Sequence, residues 1–577
     1  MQHLDRRHFL QLASAGAAAA ALPLGCGSAG QQETAATSKP NIIVIMADDM
    51  GFSDIGGYGG EIETPHIDAL AENGLRFRQF YNTARCCPTR AALLTGLYQH
   101  QAGVGHMVDN VYLKDGRPLP AYSGQLNRQC VTFGEALGPA GYSTLMSGKW
   151  HVSPAVDRTV TTPVDKSNWP RQRGFEHFWG TIHGAGSYYD PATLTNENEP
   201  IAPESDDFYY TTAIAKNANR FIDDAPRDRP FFLYLAFTSP HWPLHAPEED
   251  VAKYKGKYDS GWDELRRRRQ QRMVEMGVVK KEWGITERDG QVPSWEDAEN
   301  KEWEARRMEV YAAQITIMDR AIGEIVAKLK ERGEFENTLI FFLADNGGCA
   351  EMLNNPNPAT ITYPKTTRDG RPIRHGNNPD DMPGQDDDYQ SYGPPWANAS
   401  NTPFRLYKHW VHEGGISSPL VVHWPNGVTV PGSWTDQPGH LIDIMATCLD
   451  VAGAAYPKIY GGQAITPLEG ESLRPVFSGT DRHGHPGGIF WEHEGNRAVR
   501  LGQWKLVSKW SPPENNRWEL YDIDADRTER HDLSGEMPDK VEEMSAMWQA
   551  WADKVGVVEW RSWDESIPAR ETLGKRG

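Results

Sequence analysis

The stretch that decides the fold runs from Asn41 to Asp49 and reads NIIVIMADD. After Asn41 it is continuously apolar, which is typical of a parallel β-strand that is buried on both faces. The run ends in two adjacent aspartates, Asp48 and Asp49, whose like charges repel each other unless a cation neutralises them. The stretch therefore predicts a central strand of an α/β sheet, followed by either a cation site or an aspartate-capped turn.

Three further apolar runs also end in polar residues. In an open α/β sheet, ligands bind outside the carboxyl ends of the strands. Each histidine taken alone would more often be an ordinary structural residue, but four strands that all end in acids, amides, lysine or histidine predict one shared site. The runs and the residues that follow them are Ser143–Gly148 with Lys149 and His151, Phe231–Phe237 with His241, and Thr338–Ala344 with Asp345 and Asn346.

Helical patterns alternate with these strands. Apolar residues recur at helical spacing from Tyr311 to Leu329, and a short amphipathic helix is expected from Ile62 to Arg76. Helices that alternate with parallel strands give a doubly wound sheet. The predicted fold class is therefore α/β, with a large, mixed but mostly parallel sheet flanked by helices over residues 40–455.

Several polar stretches interrupt this pattern. Residues 99–122, 152–207 and 351–400 are rich in Gly, Pro, Asn and Asp, and we predict that they are long loops around the site. The run Arg266–Arg269 is flanked by acidic residues, which favours a solvated helix face over a nucleic-acid-binding patch.

The pattern changes at about Ala455. Short strand signals separated by Gly, Asn and Pro turns are followed by an amphipathic helix from Val541 to Val555. This predicts a smaller C-terminal α+β domain over residues 456–577, with an antiparallel sheet and a helix, which serves as scaffold and pocket wall.

A second informative stretch runs from Cys86 to Gly96 and reads CCPTRAALLTG. It has a proline in the first turn, good helix formers and then glycine, which is the composition of a short helix. Cys86 lies at the helix N-terminus, where free N–H groups favour an anion, and Arg90 is one turn further along the same face. Spacing alone leaves two interpretations open, an anion-handling site and an ordinary capped helix.

The motif Cys-x-Pro-x-Arg followed by Leu-Thr-Gly resembles the signature of the type I sulfatases, a branch of the alkaline-phosphatase-like superfamily. The resemblance extends from about Pro40 to about Trp560, although Thr89 stands where the family more often has serine. It implies the alkaline-phosphatase-like fold and the hydrolysis of sulfate esters to an alcohol and inorganic sulfate. Patterns downstream of Gly488 resemble bacterial arylsulfatases most closely.

The resemblance also implies roles for individual residues. Cys86 would be oxidised to formylglycine by a separate maturase, and one hydroxyl of the aldehyde hydrate would attack sulfur while the other later releases sulfate. A divalent cation, Ca²⁺ by family precedent with Mg²⁺ as the alternative, would be held by Asp48, Asp49, Cys86, Asp345 and Asn346. Sulfate would be held by Arg90, Lys149 and Lys408, with Arg405 as the rival to Lys408; His241 would donate a proton and His151 would accept one.

The N-terminal residues resemble an export signal. Arg6-Arg7 followed by an Ala-rich run to Leu24 has the form of a twin-arginine signal peptide over residues 1–26, and residues 27–39 have the composition of a flexible linker. A lipobox-like sequence ends at Cys26, so that lipidation and a plain signal peptide are both open. We therefore expect export by the twin-arginine machinery to the periplasm or cell surface, with membrane contact only through a lipid anchor.

Charge and composition restrict the partners. The net charge is −19, which argues against nucleic acid and anionic membrane surfaces and requires a locally positive pocket for an anionic substrate. The expected substrate is a sulfated small molecule or sulfated carbohydrate. Two alternatives remain at this stage: a phosphonate or phosphodiester hydrolase of the same superfamily, and a non-catalytic surface lipoprotein that binds sulfated glycans.

Overall fold

A sheet of eleven strands forms the centre of the protein. The computed structural model describes residues 39–109, 111–114, 117–154, 164–354, 364–482, 484–510 and 516–560. The predicted signal peptide and all but the last residue of the predicted linker lie outside the described residues. The strands of this sheet, numbered along the chain, are β1 (Asn41–Ala47), β2 (Leu75–Tyr81), β3 (Ser143–Gly148), β4 (His177–Thr181), β5 (Leu194–Asn196), β6 (Glu199–Pro200), β7 (Phe231–Ala236), β8 (Thr338–Ala344), β9 (Ser417–His423), β10 (Ser433–Thr435) and β11 (Gly439–His440).

The predicted sheet class is confirmed. The strand order is β10-β2-β9-β8-β1-β7-β3-β4-β5-β6, with β11 also paired to β2. The five central strands from β8 to β4 are parallel, whereas β9 is antiparallel to both β8 and β2. The central strands are almost entirely buried, which explains why they appear in the sequence as continuous apolar runs.

Helices cover both faces of the sheet. The longest, α7, packs against α1 and α4, and its apolar face is buried as its helical spacing predicts. None of the helices within the described residues combines the length and apolar character needed to cross a membrane. The helices are α1 (Pro65–Glu72), α2 (Cys86–Thr95), α3 (Phe133–Leu137), α4 (Tyr210–Asp224), α5 (Glu248–Val251), α6 (Gly261–Glu275), α7 (Lys301–Glu331), α8 (Gly393–Ser400), α9 (Glu413–Ile416), α10 (Ile442–Ala452) and α11 (Pro538–Val555).

The C-terminal part has the predicted antiparallel sheet and helix. Four strands pair in sequence order, and α11 packs on them through Trp548, whose indole N–H donates to the carbonyl oxygen of Trp491 at 2.9 Å. Apolar side chains of this sheet belong to the same buried cluster as side chains of β1. The domain boundary at residue 455 stays a prediction. The four strands are β12 (Ile489–His493), β13 (Asn496–Leu501), β14 (Trp504–Ser508) and β15 (Glu519–Asp522).

Two sequence-based expectations were wrong about secondary structure. The helix expected from Ile62 to Arg76 spans only Pro65–Glu72, and the chain continues as β2 from Leu75. A side chain at Gly74, between the two, would collide with the carbonyl oxygen of Val422. The segment 152–207, predicted to be a loop, contributes β4, β5 and β6 to the main sheet, and the segment 351–400 contains α8. Short strands with mixed polarity give a weak periodic signal, which explains why β4, β5 and β6 were missed.

The arginine run on α6 is only partly a solvated face. Arg267 and Arg268 are exposed and pair with Glu264, as predicted. Arg269 instead is buried, with its guanidinium 2.6 Å from Asp54 Oδ1 and 2.8 Å from Glu61 Oε2. Arg266 is also buried and donates to the carbonyl oxygen of Thr286 at 2.8 Å. The prediction failed because residues three apart share one face of a helix, so that Arg266 and Arg269 face the protein while Arg267 and Arg268 face solvent.

This difference predicts unequal effects of two neighbouring substitutions. Arg269→Ala leaves Asp54 buried without its partner and should lower the free energy of unfolding by roughly 3–5 kcal/mol. Arg268→Ala removes only an exposed pair and should cost less than about 1 kcal/mol. Denaturant unfolding of both variants checks this, and equal losses would contradict the buried pairing.

Candidate active site

The parallel strands end level with one another. Ala47 pairs with Ala344, and Ala236 pairs with both Met46 and Gly148. The polar residues that follow β1, β3, β7 and β8 therefore meet at one edge of the sheet, as the sequence predicted.

Acidic and amide groups form the floor of this site, which is called the acidic floor and consists of Asp48, Asp49, Asp345 and Asn346. The backbone N–H of Asp49 donates to Asp345 Oδ1 at 3.1 Å, and Asn346 Nδ2 donates to Asp49 Oδ1 at 2.7 Å. Asp48, Asp49, Cys86 and His241 each offer a donor atom within 4.8 Å of the others. Asp48 Oδ1 and Asn346 Oδ1 are buried and have no hydrogen-bond partner among the described residues.

Burial and neighbouring charges shift the pKa values of two aspartates of the acidic floor in opposite directions. Burial and the neighbouring Asp48 raise the pKa of Asp345 well above its usual range. Burial also works to raise the pKa of Asp48, but Lys149, His241 and Arg90 outweigh it, so that this pKa lies well below its usual range. Buried like charges with unpartnered oxygens are the environment that a hard cation stabilises, so these residues fit a divalent oxygen-binding metal.

Cys86 begins α2 as predicted, directly above the acidic floor. Its Sγ lies 3.9 Å from Asp49 Oδ1, and the side chain is buried. Burial raises the pKa of the Cys86 thiol well above its usual value, despite Lys408 and Lys149 nearby. Because the thiolate and not the thiol is nucleophilic, an unmodified Cys86 is a poor nucleophile in this environment.

Three cations surround the floor. Arg90 Nη2 lies 2.9 Å from Asp345 Oδ2 and 3.5 Å from Asp48 Oδ2, and Lys149 donates to Asp48. Lys408 Nζ lies 2.8 Å from Asp49 Oδ1. All three side chains are buried, so their charges act at low dielectric on any anion bound between them.

Lys408 and Arg405 are clearly separated. Arg405 points to the C-terminal sheet, where its Nη1 lies 3.4 Å from Glu519 Oε2 and 3.3 Å from the hydroxyl oxygen of Tyr521. The structure therefore places Lys408, and not Arg405, beside Cys86 and Asp49.

The two predicted histidines differ in their partners. His241 Nε2 lies 3.3 Å from Asp49 Oδ2, and its Nδ1 lies 2.6 Å from the carbonyl oxygen of Trp242. Both ring nitrogens of His151 are buried without a hydrogen-bond partner among the described residues, and its ring packs against Gly184. Burial lowers the pKa of both histidines, that of His151 to well below its usual value. A neutral His151 has one ring nitrogen with a lone pair that can take up a proton, although the lowered pKa makes it a weaker base than an ordinary histidine.

Glu351 is a residue of this site that the sequence patterns did not predict. Its carboxylate lies 2.8 Å from Arg85 Nη1 and 3.8 Å from Lys408 Nζ, and it accepts a hydrogen bond from Trp242 Nε1 at 2.8 Å. It follows β8 by several residues in a segment predicted to be a loop, so the strand-end pattern gave no signal for it. Glu351 holds Lys408 from the solvent side.

Comparisons with known proteins identify the family. A family profile described as Sulfatase matches residues 40–454, which is more than half of the chain. The chain belongs to the sulfatase family. A second profile, described as N-sulphoglucosamine sulphohydrolase, C-terminal, matches residues 404–552.

Similar proteins cover most of this sulfatase. An uncharacterised sulfatase of Schizosaccharomyces pombe is 34% identical over 552 residues, covering 91% of this chain and 95% of its own. An arylsulfatase of Klebsiella aerogenes is 35% identical over 464 residues, which cover 78% of this chain and 94% of the relative. A crystal structure of Ps i-CgsB in complex with k-i-k-neocarrahexaose has a TM-score of 0.62 at 24% identity. The match covers 93% of this chain and 98% of the other, and it supports the fold. The resemblance to sulfatases, found in the sequence, is confirmed. The protein is a sulfuric ester hydrolase.

The separation of Lys408 from Arg405 predicts different kinetic effects. Lys408→Met removes a buried cation from the site and should lower kcat/KM for an aryl sulfate by about 10²–10³-fold. Arg405→Met, the matched control, should lower it less than tenfold, because its guanidinium contacts Glu519, Tyr521 and the carbonyl oxygen of Glu529, which lie outside the acidic floor. A larger loss in Arg405→Met would contradict this placement.

Proposed function

We propose that this sulfatase hydrolyses aryl-type sulfate esters through a formylglycine residue formed from Cys86 by a separate maturase. The observation that carries the proposal is the position of Cys86: a buried, protonated thiol at a helix N-terminus, between an acidic floor and three cations. The thiol itself is unsuited to attack, whereas a hydrated aldehyde would supply one hydroxyl to attack sulfur and a second to release sulfate. The Klebsiella relative's name supports the aryl class, and a sulfated carbohydrate is the other substrate class.

We propose Ca²⁺ as the metal, with Mg²⁺ as the alternative. Residue 86 in its oxidised form and the oxygens of the floor would hold it, and carboxylate and amide oxygens select hard cations over thiolate-binding metals. The unpartnered oxygens of Asp48 and Asn346 support this choice. When bound, the cation supplies Lewis-acid polarisation of a sulfate oxygen. The metal ligands proposed are Asp48, Asp49, Asp345, Asn346 and residue 86.

The remaining side chains act on charge and protons. Arg90, Lys149 and Lys408 would hold the sulfate oxygens and stabilise the negative charge that grows on them in the transition state. We assign to His241 Nε2 the proton that the departing alcohol takes up, because Asp49 lies 3.3 Å away and favours the protonated ring against the effect of burial. We assign to His151 the proton that residue 86 loses when sulfate is released, since both its nitrogens are buried and unpartnered.

We also propose export by the twin-arginine machinery, with the enzyme acting in the periplasm or at the cell surface. Arg6-Arg7 and the Ala-rich run support this, and cell fractionation tests it.

The aldehyde proposal has a direct test in the two adjacent cysteines. Mass spectrometry of the Cys86 peptide from the native host should find the aldehyde at Cys86 and a thiol at Cys87. Cys86→Ala should lower kcat for sulfate esters by roughly 10⁴–10⁶-fold, as expected when the attacking group is removed. Cys87→Ala is the matched control, because its side chain lies in the apolar core, and its kcat should stay within about tenfold of wild type.

Two results would overturn this reading. Full sulfate ester turnover with an unmodified thiol in every molecule would remove the aldehyde mechanism. Faster turnover of a phosphate diester or phosphonate ester than of a sulfate ester by the same sample would favour the alternative hydrolase class.

The acidic floor predicts a stabilising effect of calcium. At about 100 times its Kd, a ligand that binds only the folded state stabilises it by roughly 2.7 kcal/mol, so Ca²⁺ should raise the Tm of chelator-treated protein. Asp48→Asn should abolish that rise, because it removes a ligand charge. Glu351→Gln is the control, since this carboxylate lies in the same pocket beside Lys408, and its Tm should still rise. An unchanged Tm in the wild-type protein would contradict the metal proposal.

A further inference from the structure

A second group of side chains that could hold a metal ion lies outside the acidic floor. It consists of His409, which follows Lys408, and of His493 and Glu494 at the turn between β12 and β13. His409 Nδ1 lies 2.8 Å from Glu494 Oε2, and His493 Nε2 lies 3.7 Å from Glu494 Oε1. Each of the three residues offers a donor atom within 4.8 Å of the others.

His493 gives an independent indication of a ligand. Its side chain is fully buried, and neither Nδ1 nor Nε2 has a hydrogen-bond partner among the described residues. Buried polar atoms are nearly always satisfied, so an imidazole with two unpartnered nitrogens requires an explanation. Its ring lies between those of His106 and His409, with both centroid distances at 5.4 Å, and Nε2 faces the Glu494 carboxylate.

The protonation states suit a metal. Burial works to raise the pKa of Glu494, but hydrogen bonds with His106 and His409 outweigh it and hold the pKa well below its usual range. Burial lowers the pKa of His493 well below its usual value. A carboxylate and a neutral imidazole are the forms that bind divalent metals.

We propose that His409, His493 and Glu494 form a second metal site that takes Zn²⁺ or a similar divalent transition metal. Two imidazoles and one carboxylate form a nitrogen-rich set that favours Zn²⁺ over Ca²⁺. Zinc ligands at roughly 2.0–2.1 Å in a tetrahedron lie about 3.3 Å apart. His409 lies 2.8 Å from Glu494 Oε2 and His493 lies 3.7 Å from Glu494 Oε1, and one donor atom of each residue lies within 4.8 Å of the other two, so the side chains would have to shift to reach this spacing.

Neighbouring groups support this set. His106 Nε2 lies 2.7 Å from Glu494 Oε1 and orients the carboxylate, as outer residues do at metal sites. Three protein ligands leave a fourth position for water or another small ligand, and His409, with a side-chain exposure of 28%, gives access from solvent. The site would tie the β12–β13 turn to the segment that carries Lys408.

The test compares two histidine-to-phenylalanine variants. Chelator-treated full-length protein is dialysed against Zn²⁺ with excess Ca²⁺, which occupies the acidic floor, and bound zinc is measured by elemental analysis and calorimetry. Wild type should bind one more zinc per chain than His493→Phe. The Kd of this site for Zn²⁺ should be at least 100-fold larger in His493→Phe than in wild type. Phenylalanine keeps a planar aromatic ring and removes two nitrogens that have no hydrogen-bond partner among the described residues. His423→Phe, another buried histidine with an unpartnered Nδ1, should bind zinc as wild type does.

Equal zinc content in wild type and His493→Phe would overturn the proposal. If His493→Phe does not fold, X-ray absorption of the wild-type protein with one zinc decides. Two imidazoles without sulfur are expected, and a sulfur ligand would assign the zinc to Cys86 and overturn the second site. Because none of these donors belongs to the acidic floor, loss of the Cys86 mechanism would leave this result unchanged.

Discussion

Electrostatic repulsion among Asp48, Asp49 and Asp345 is the constraint on which the rest of the site depends. The level ends of β1 and β8 bring these carboxylates together where they are almost fully removed from water. Charges of like sign at such depth are costly unless they are paired or bound to a metal. Arg90, Lys149 and Lys408 each contact one or more of these carboxylates.

These cations have a second consequence for substrate binding. The whole chain carries a net charge of −19, which would repel an anionic sulfate ester. If a divalent cation occupies the acidic floor, it neutralises part of the negative charge of the carboxylates. The three basic side chains then become available to a bound anion. The helix N-terminus at Cys86 adds its dipole in the same direction.

The C-terminal sheet holds one wall of the site through buried ion pairs. Lys505 Nζ lies 2.9 Å from Glu413 Oε1, and Arg527 Nε lies 2.9 Å from Glu413 Oε2. Glu413 begins the short helix α9, which contains Gly414 and Gly415. The N–H of Gly347, next to Asn346, donates to the carbonyl oxygen of Gly415 at 3.0 Å. A side chain at Gly347 would collide with the carbonyl oxygen of Gly414, so this approach requires glycine. The sheet thereby positions residues on the acidic floor from a distance.

The sequence by itself determined the central strands, the residues at their ends and the helix that begins at Cys86, because each follows from a short local pattern of apolar runs and capping residues. Only the tertiary structure separated Lys408 from Arg405, buried Arg269 against Asp54 and brought Glu351 to the site. It also assembled His409, His493 and Glu494 into a cluster outside the acidic floor. These outcomes depend on contacts between residues that lie far apart in the chain, and no local periodicity reports which distant side chain will be the partner. The physical reason is that burial and charge pairing are properties of the packed molecule, whereas strand and helix patterns are properties of the neighbouring residues.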